Sequence, residues 1–388
     1  MAQGSRGRQT SSAMATGTVA RKMLQGHVID PSDQTALGEF VTSVLAGKHA
    51  GWDKIPPSAV KFENCSGQGR STTYKVSAEG GAEPAALKVV PSASLSGRPF
   101  FMQKLGVVSE HLGARGLAPT LIMGGDNWTL TTWEGKSLKS VPDHSVEELG
   151  RLLARIHAVD TDWYDPIRTR VCRRWPLHFF EDVDVDSHMW LANLIPMDIL
   201  SPELFQALAR TGPKVHSSVG KRLVTSHGDF HLGNILEVAG ENGQRILKVV
   251  DLDNACVEAA VYDIGCALIR CCPSVESKRA FIRAYGEECG NFYYNGKQVD
   301  EDDINTLWLD AQRCSWAHWW ILVAFLQRRD LKDIWDEYGK RVMLADHALI
   351  NPDLAHEMRC CGFEHCWETW QVLESGSCAK KLSGVSKL

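Results

Sequence analysis

Three short polar side chains in the middle of the chain have the types and spacing for chemistry. In the stretch Ser226 to Asp253, SHGDFHLGNILEVAGENGQRILKVVDLD, Asp229 is followed five residues on by Asn234 and seventeen beyond that by Asp251. A carboxylate beside a hydroxyl can orient it and take up its proton. An amide oxygen and a second carboxylate are hard oxygen donors of the kind Mg2+ accepts. Phosphoryl transfer from a nucleotide uses that set: one group for the attacking oxygen, the others to hold the metal on the phosphates. Any one of these residues alone caps a turn just as readily; the ordered set points to a site.

The surrounding sequence supplies elements to position them. The turn-rich piece Ala239-Gly240-Glu241-Asn242-Gly243 separates two apolar runs, and the second, Ile246-Leu247-Lys248-Val249-Val250, delivers Asp251. This predicts strand, loop, short strand, turn and strand, with the polar groups at the loop ends.

HGDFHLGNIL followed by VVDLD resembles the aminoglycoside phosphotransferase and choline kinase family, whose fold is that of the protein kinases. The Asp-to-Asn spacing matches the protein-kinase catalytic loop. HGD stands where protein kinases carry HRD, which favours a small-molecule kinase. The resemblance implies an α+β, two-lobed fold: a small antiparallel-sheet N-terminal lobe and a larger, mainly helical C-terminal lobe. It implies ATP and Mg2+ as cofactors and transfer of the γ-phosphate to a hydroxyl of a small-molecule acceptor. Asp229 is then the catalytic base, Asn234 and Asp251 are metal ligands, and Asp253 takes the second acidic position of the metal strand. His227 and His231 support the loop by hydrogen bonding. Choline and ethanolamine kinases, which more usually carry H-N-D, are the alternative. A nucleotide-binding pseudokinase or scaffold is the alternative of another class, and the intact Lys88, Asp229, Asn234 and Asp251 argue against it.

Residues 23–132 read as the nucleotide-binding lobe. Residues 21–47 read as helical, with Pro31-Ser32-Asp33 starting the second half and Leu24, Ala36, Leu37, Phe40, Val41, Val44 and Leu45 forming an apolar face. Val60 to Glu63 and Tyr74 to Val76 flank a loop containing Gly67, Gly69 and Ser71, where backbone N–H groups can approach phosphate oxygens. Lys88 lies inside the apolar run Ala85 to Val90. A lysine there needs anionic partners, unless the strand is an edge and its head reaches water. By the resemblance Lys88 grips the α- and β-phosphates. A helix over Phe100 to Arg115 offers Glu110 as its ion-pair partner, with Gln103 two turns earlier as the other candidate. The strand Trp128 to Trp133 leads into Glu134-Gly135. The resemblance makes this the hinge that holds adenine through backbone groups near Thr132, Trp133 and Glu134, although Trp133 equally suits a core.

Residues 133–375 read as the catalytic and acceptor-binding lobe. Ser145 and Glu148 form a capping box opening a helix with Leu149, Leu152, Leu153 and Ile156 as its buried stripe, and His157 reads as structural. The stretch 160–222, with helices near 188–195 and 202–210, corresponds in the family to an insert that helps build the acceptor pocket. Asp263, in YDIG, steadies the catalytic loop by the resemblance, or caps a helix. Helices dominate 276–373. Trp308, Trp316, Trp319 and Trp320 offer faces to an organic cation or fill a helical core. Asp310 and Glu287 are candidates to meet an amine.

The 388 residues carry 44% hydrophobic and 23% charged side chains and a net charge of −5, with no basic run interleaved with aromatics, so nothing points to nucleic acid. No apolar stretch reaches the roughly 18 residues of a membrane span. Twelve cysteines without regular spacing read as reduced, mostly buried thiols. The cluster Cys360, Cys361, His365 and Cys366 lacks a second ligand pair at zinc-like spacing. Residues 1–22 read as a disordered tail or a transit peptide. Residues 376–388 read as a flexible tail whose Ser386-Lys387-Leu388 matches the peroxisomal address read by an import receptor. A peroxisomal location is expected, with cytoplasm as the alternative.

Overall fold

The computed structural model describes residues 23–24, 28–66, 71–95, 101–140, 144–163, 215–290 and 297–311. They form two compact units. The first contains the described residues through 140 together with 159–163 and 234–256; the second contains 144–158, 215–233, 257–290 and 297–311. A single division at residue 132 therefore differs from the observed one, because the segment carrying Asn234, Asp251 and Asp253 belongs to the first unit. Outside the described residues lie Gly67 and Gly69, the two predicted tails, the predicted helices near 188–195 and 202–210, Trp316, Trp319, Trp320 and the Cys360–Cys366 cluster.

The first unit is built on β1 (Met23–Leu24), α1 (Gln34–Leu45), β2 (Val60–Asn64), β3 (Thr72–Ala78), β4 (Ala85–Val89), α2 (Ser92–Leu95), α3 (Phe101–Gly113), β5 (Leu121–Gly125), β6 (Trp128–Thr132) and β7 (Lys136–Ser137). Six strands form one sheet in the order β1-β5-β6-β4-β3-β2, antiparallel except for the β1–β5 pair. Asp33 starts α1 by accepting the Ala36 N–H at 2.9 Å. Leu37, Val41, Val44 and Leu45 of α1 then pack with Val76, Ala85, Leu87, Val89, Trp128 and Leu130 of the sheet. Each such large apolar side chain contributes about 1.5–3 kcal/mol when fully buried. The helix expected from residue 21 is absent at its start: Met23 and Leu24 instead pair in parallel with Gly124 and Gly125. The reason is room. A side chain at Gly106 or Gly124 would fall within 2.7 Å of the Met23 sulfur, so both glycines leave space for it.

A second, three-stranded sheet of this unit has the order β10-β9-β7, with β9 at Ile235–Ala239 and β10 at Arg245–Val249. Gly135, just before β7, has φ +61°, and a Cβ there would sit 2.1 Å from the Glu237 carbonyl oxygen. Only glycine fits that close approach.

The second unit contains α4 (Val146–His157), α5 (Ser218–Lys221), β8 (Leu223–Ser226), β11 (Cys256–Ala259), α6 (Ala260–Arg270), α7 (Val275–Gly290) and α8 over residues 301–311. Ser145 caps α4, its Oγ accepting the Glu148 N–H at 3.4 Å and donating to Glu147 Oε2 at 2.7 Å. Leu149, Leu152, Leu153 and Ile156 are buried as the spacing predicts, and Gly150 lets α7 approach: a Cβ there would lie 2.4 Å from the Phe281 carbonyl. Strands β8 and β11 pair with each other, and the loop that carries Asp229 follows β8. No described helix is long and apolar enough to cross a membrane.

Candidate active site

In the first unit the strand period places the site. Along β4, Ala85, Leu87 and Val89 point into the core, so Lys88 must leave by the opposite face. Its Nζ donates to Asp251 Oδ1 and to Asp253 Oδ1, each at 2.6 Å. Burial disfavours the ammonium, but the charges of Asp253 and Asp251 outweigh it and hold the Lys88 pKa above its ordinary value. The edge-strand alternative is excluded, since β4 lies between β3 and β6.

Asn234 is buried at the end of a 3₁₀ turn, and its carbonyl accepts the Val250 N–H at 2.9 Å, one rung beyond the Ile235–Val249 pair. The β9–β10 ladder thus brings Asn234 beside the residue that precedes Asp251. Asp251 itself has φ 62° and ψ 60°. A left-handed aspartate is uncommon, and such strain gathers where a side chain must be aimed. A further lysine fixes this segment. Lys104 of α3 is buried and donates to the carbonyls of Asp253, at 2.7 Å, and Ala255, at 3.0 Å.

Glu110 sits on α3 half-buried and is not among the partners of Lys88, and Gln103 is exposed. The ion pair expected from the helix is instead made by Asp251 and Asp253. At the strand exit, Thr132 N–H donates to Thr120 O at 2.9 Å and Trp133 N–H to Pro84 O at 3.2 Å, so those two donors are used within the unit. Thr132 Oγ1 donates to Glu134 Oε1 at 2.6 Å, and Lys248 of β10 forms an ion pair with Glu134 Oε2. Lys75 lies over the Trp133 ring, 5.4 Å from its centre. Ser71 is half-buried just before β3.

Asp229 belongs to the second unit, on a loop anchored by Asp263. The buried carboxylate of Asp263 accepts the His227 N–H at 2.5 Å and the Gly228 N–H at 2.8 Å. Ala259, not Asp263, is the cap of α6, so the helix-cap alternative for Asp263 fails. Gly228 has φ +75°, the turn that lets consecutive N–H groups reach one carboxylate. Behind Asp263, His157 Nε2 lies 3.3 Å away and His157 Nδ1 is 2.8 Å from the Tyr285 hydroxyl. Burial holds the phenol protonated, so it donates to Nδ1, leaving Nε2–H for the carboxylate. Within the loop, Asp229 N–H donates to His227 Nδ1 at 3.2 Å and Gly233 N–H to His231 Nδ1 at 3.0 Å. Both histidines thus support the backbone.

His231 and Arg270 both meet the side chain of Asp229. His231 Nε2 is 3.8 Å from Oδ2, and the Arg270 guanidinium, from the last turn of α6, forms an ion pair with Oδ1. Arg270, Lys104 and Lys248 were not singled out from the sequence. The first two left a trace there. Arg270 lies seven residues after Asp263, on the same helical face, and Lys104 falls on the apolar stripe of Phe101, Leu105, Val108 and Leu112.

The sheet-and-helix first unit and the carboxylate-anchored loop of the second define a two-lobed, kinase-like phosphotransferase. The sequence model described as the phosphotransferase enzyme family matches residues 62–298, and the chain belongs to that family of small-molecule kinases. A choline kinase from Cryptosporidium parvum Iowa II is 14% identical and matches with a TM-score of 0.50, over 83% of this chain and 94% of that one. An ethanolamine kinase from Plasmodium vivax is 16% identical and also matches at 0.50, over 83% of this chain and 91% of that one. At these identities the likeness is one of fold. No curated protein matches the chain in sequence.

Proposed function

We propose that the chain transfers the γ-phosphate of ATP, in the presence of Mg2+, to a hydroxyl of a small-molecule acceptor. The observation that carries this reading is the Lys88 ammonium held 2.6 Å from both Asp251 and Asp253. A strand lysine facing two acids that already gather around one cation is the arrangement a nucleotide phosphate and its metal need.

Lys88 would turn from the two carboxylates to the α- and β-phosphates. The donors fit Mg2+: Asn234, Asp251 and Asp253 offer hard oxygens, and the two carboxylates converge on a positive charge. These three residues would hold the metal, which when bound neutralises charge on the phosphates. Lys104 keeps their segment in place. Asp229 accepts the proton of the acceptor hydroxyl as its oxygen bonds to the γ-phosphorus, the bond to the β,γ-bridging oxygen breaks, and ADP leaves. Asp263 and His227 fix the backbone that aims Asp229. Most of the rate enhancement is then positioning and electrostatics. Adenine contacts near Thr132 to Glu134 would come from groups other than the Thr132 and Trp133 N–H.

The test is transfer from labelled ATP across a panel of hydroxyl metabolites, with and without Mg2+. Wild type should label an acceptor, and Asp229→Asn and Asp251→Ala should each lose about 10²–10³-fold in rate under conditions where circular dichroism shows the variant folded. Activity like wild type in Asp251→Ala overturns the assignment.

A further inference from the structure

Lys104 is a costly residue where it stands. It falls on the apolar stripe of α3 with Phe101, Leu105, Val108 and Leu112, and only 3% of it reaches solvent. A leucine or methionine would fill that position without the penalty of taking an ammonium out of water. The charge is met by backbone. Nζ donates to the Asp253 carbonyl at 2.7 Å and to the Ala255 carbonyl at 3.0 Å, and it lies 5.3 Å from the centre of the Phe101 ring. Hydrogen bonds from an ionised donor are roughly twice as strong as neutral ones.

The backbone so held is under strain. Asp251 has φ 62° and ψ 60°, a conformation that a residue with a side chain adopts only at a cost. Leu252 to Asn254 then turn as a 3₁₀ helix, closed by the Ala255 N–H on the Leu252 carbonyl at 3.1 Å. In that shape the Asp251 and Asp253 carboxylates each lie 2.6 Å from the Lys88 ammonium. Such strain persists only where the surroundings over-determine it. Lys104 grips the turn from α3 at two carbonyls, two and four residues past Asp251, all inside the first unit. The two lysines therefore differ in kind: Lys88 bonds to the carboxylates, Lys104 to the backbone that aims them.

We infer that Lys104 is a positioning residue: it keeps Asp251 left-handed and the Asp251 and Asp253 carboxylates converged, and thereby sets the affinity for Mg2+ on a nucleotide. This rests on the phosphotransferase reading above and adds a residue that acts through the backbone. The sign of the effect separates this role from plain electrostatics. A buried cation beside a metal site repels the metal, so charge alone would make Mg2+ bind more tightly once Lys104 is removed. Positioning has the opposite consequence. Without the two bonds the turn relaxes, the converged state becomes a minor one, and the apparent affinity falls by that fraction.

The experiment is calorimetric binding of ADP, with and without MgCl2, to wild type, Lys104→Met and Lys104→Gln, each shown folded by circular dichroism. Wild type should bind ADP more tightly with Mg2+ than without. Lys104→Met, close to lysine in length, should lose about 10- to 100-fold in affinity for ADP with Mg2+, the range that backbone strain of this kind releases. Its binding of metal-free ADP should not weaken. Lys104→Gln keeps a neutral amide donor and should recover part of the loss; if Lys104→Met does not fold, Lys104→Gln is read by the same criteria. A variant that binds ADP with Mg2+ as tightly as wild type, or more tightly, overturns the inference and leaves the phosphotransferase standing. Equal weakening with and without Mg2+ overturns it too, since that is a general loosening of the fold. A wild type that binds no ADP, or binds it equally with and without Mg2+, removes the Mg2+-dependent phosphotransferase reading and this inference with it.

Discussion

Lys88 and Asp251 meet at 2.6 Å across 163 residues of sequence, and the same ammonium holds Asp253. The contact lies inside one compact unit, because residues 234–256 return to the sheet that carries Lys88. The proposed metal ligands and the proposed phosphate lysine are thus folded together as one body. Asp229 is organised separately, by Asp263 and the two histidines.

Replacing Lys88 by Met takes the shared cation from two carboxylates. They should then attract a divalent cation more strongly, since the ammonium no longer competes and like charges are left facing. Titration with MgCl2 should raise the melting temperature of Lys88→Met more than that of wild type. A tenfold gain in affinity corresponds to about 1.4 kcal/mol. Phosphate transfer should fall by about 10²–10³-fold. Equal Mg2+ dependence in the two proteins would show that the carboxylates do not act as a pair.

Asp263 is fully buried and accepts two backbone N–H groups of the Asp229 loop. Asp263→Ala leaves those donors and His157 without an acceptor, so it should destabilise the protein by about 3–5 kcal/mol, as breaking a buried charged network does. Asp263→Asn keeps one oxygen and should lose less. Urea unfolding measures both, and a loss below about 1 kcal/mol in the alanine variant would mean the loop is held by other contacts.

Local pattern revealed most of the elements, and it failed where a partner comes from far along the chain. Alternation put Lys88 opposite the core, and the Ser145 cap and its stripe followed from spacing alone. The lysine's partner did not. Glu110 is the acid that the helix offers, but α3 turns Lys104 toward the Asp253 carbonyl and leaves Glu110 out of the Lys88 pair. Leu24 belongs to the apolar face read over 21–47, yet the glycines at 106 and 124 open a slot for Met23 that draws the pair onto the sheet edge. Arg270 suits the last turn of a helix in any case, so its place in the sequence does not reveal the pair it makes with Asp229.

The His157–Asp263 pair gives stability a pH dependence with a definite sign. Burial pushes the His157 imidazole below its ordinary 6.5, against the pull of Asp263. Below that pH the unfolded chain binds a proton that the folded chain refuses, so His157's contribution is complete above about 6.5 and declines as pH falls toward its lowered folded value. Burial alone would raise the Asp263 carboxyl, but the bond from His157, the His157 and His227 charges and the Gly228 N–H hold it below its ordinary 3.8. Its contribution persists above that value and is lost only at lower pH. His111, lowered by burial and by the Arg115 charge, adds to the upper slope. Denaturation at pH 7.5, 6 and 5 should show falling stability, by at most about 1.4 kcal/mol per pH unit per histidine. His157→Gln should flatten the slope in part and leave the His111 share. A slope unchanged by His157→Gln would mean that the buried imidazole titrates in the folded protein as it does in the unfolded chain.

The thiols test whether the Asp229 loop opens. Cys266 and Cys271 of the second unit point their sulfurs at the Phe230 carbonyl, at 3.7 and 3.9 Å, one residue past Asp229. Burial raises both pKa values strongly, and it pushes Cys272 up to about 12 and Cys289 up to about 11. The thiolate is the nucleophile, so these four should resist iodoacetamide at pH 7.5 while exposed Cys65 reacts. Peptide mapping by mass spectrometry reads each site. Cys266 and Cys271 can react only when α6 or the loop departs from the packed state, so their labelling rate reports that opening. If the loop is as rigid as its bonds to Asp263 require, both should label together with Cys272 and Cys289, at the rate of unfolding. Labelling of Cys266 and Cys271 well ahead of the other two would mean that the loop carrying the proposed base opens on its own, and that Asp263 does not hold it.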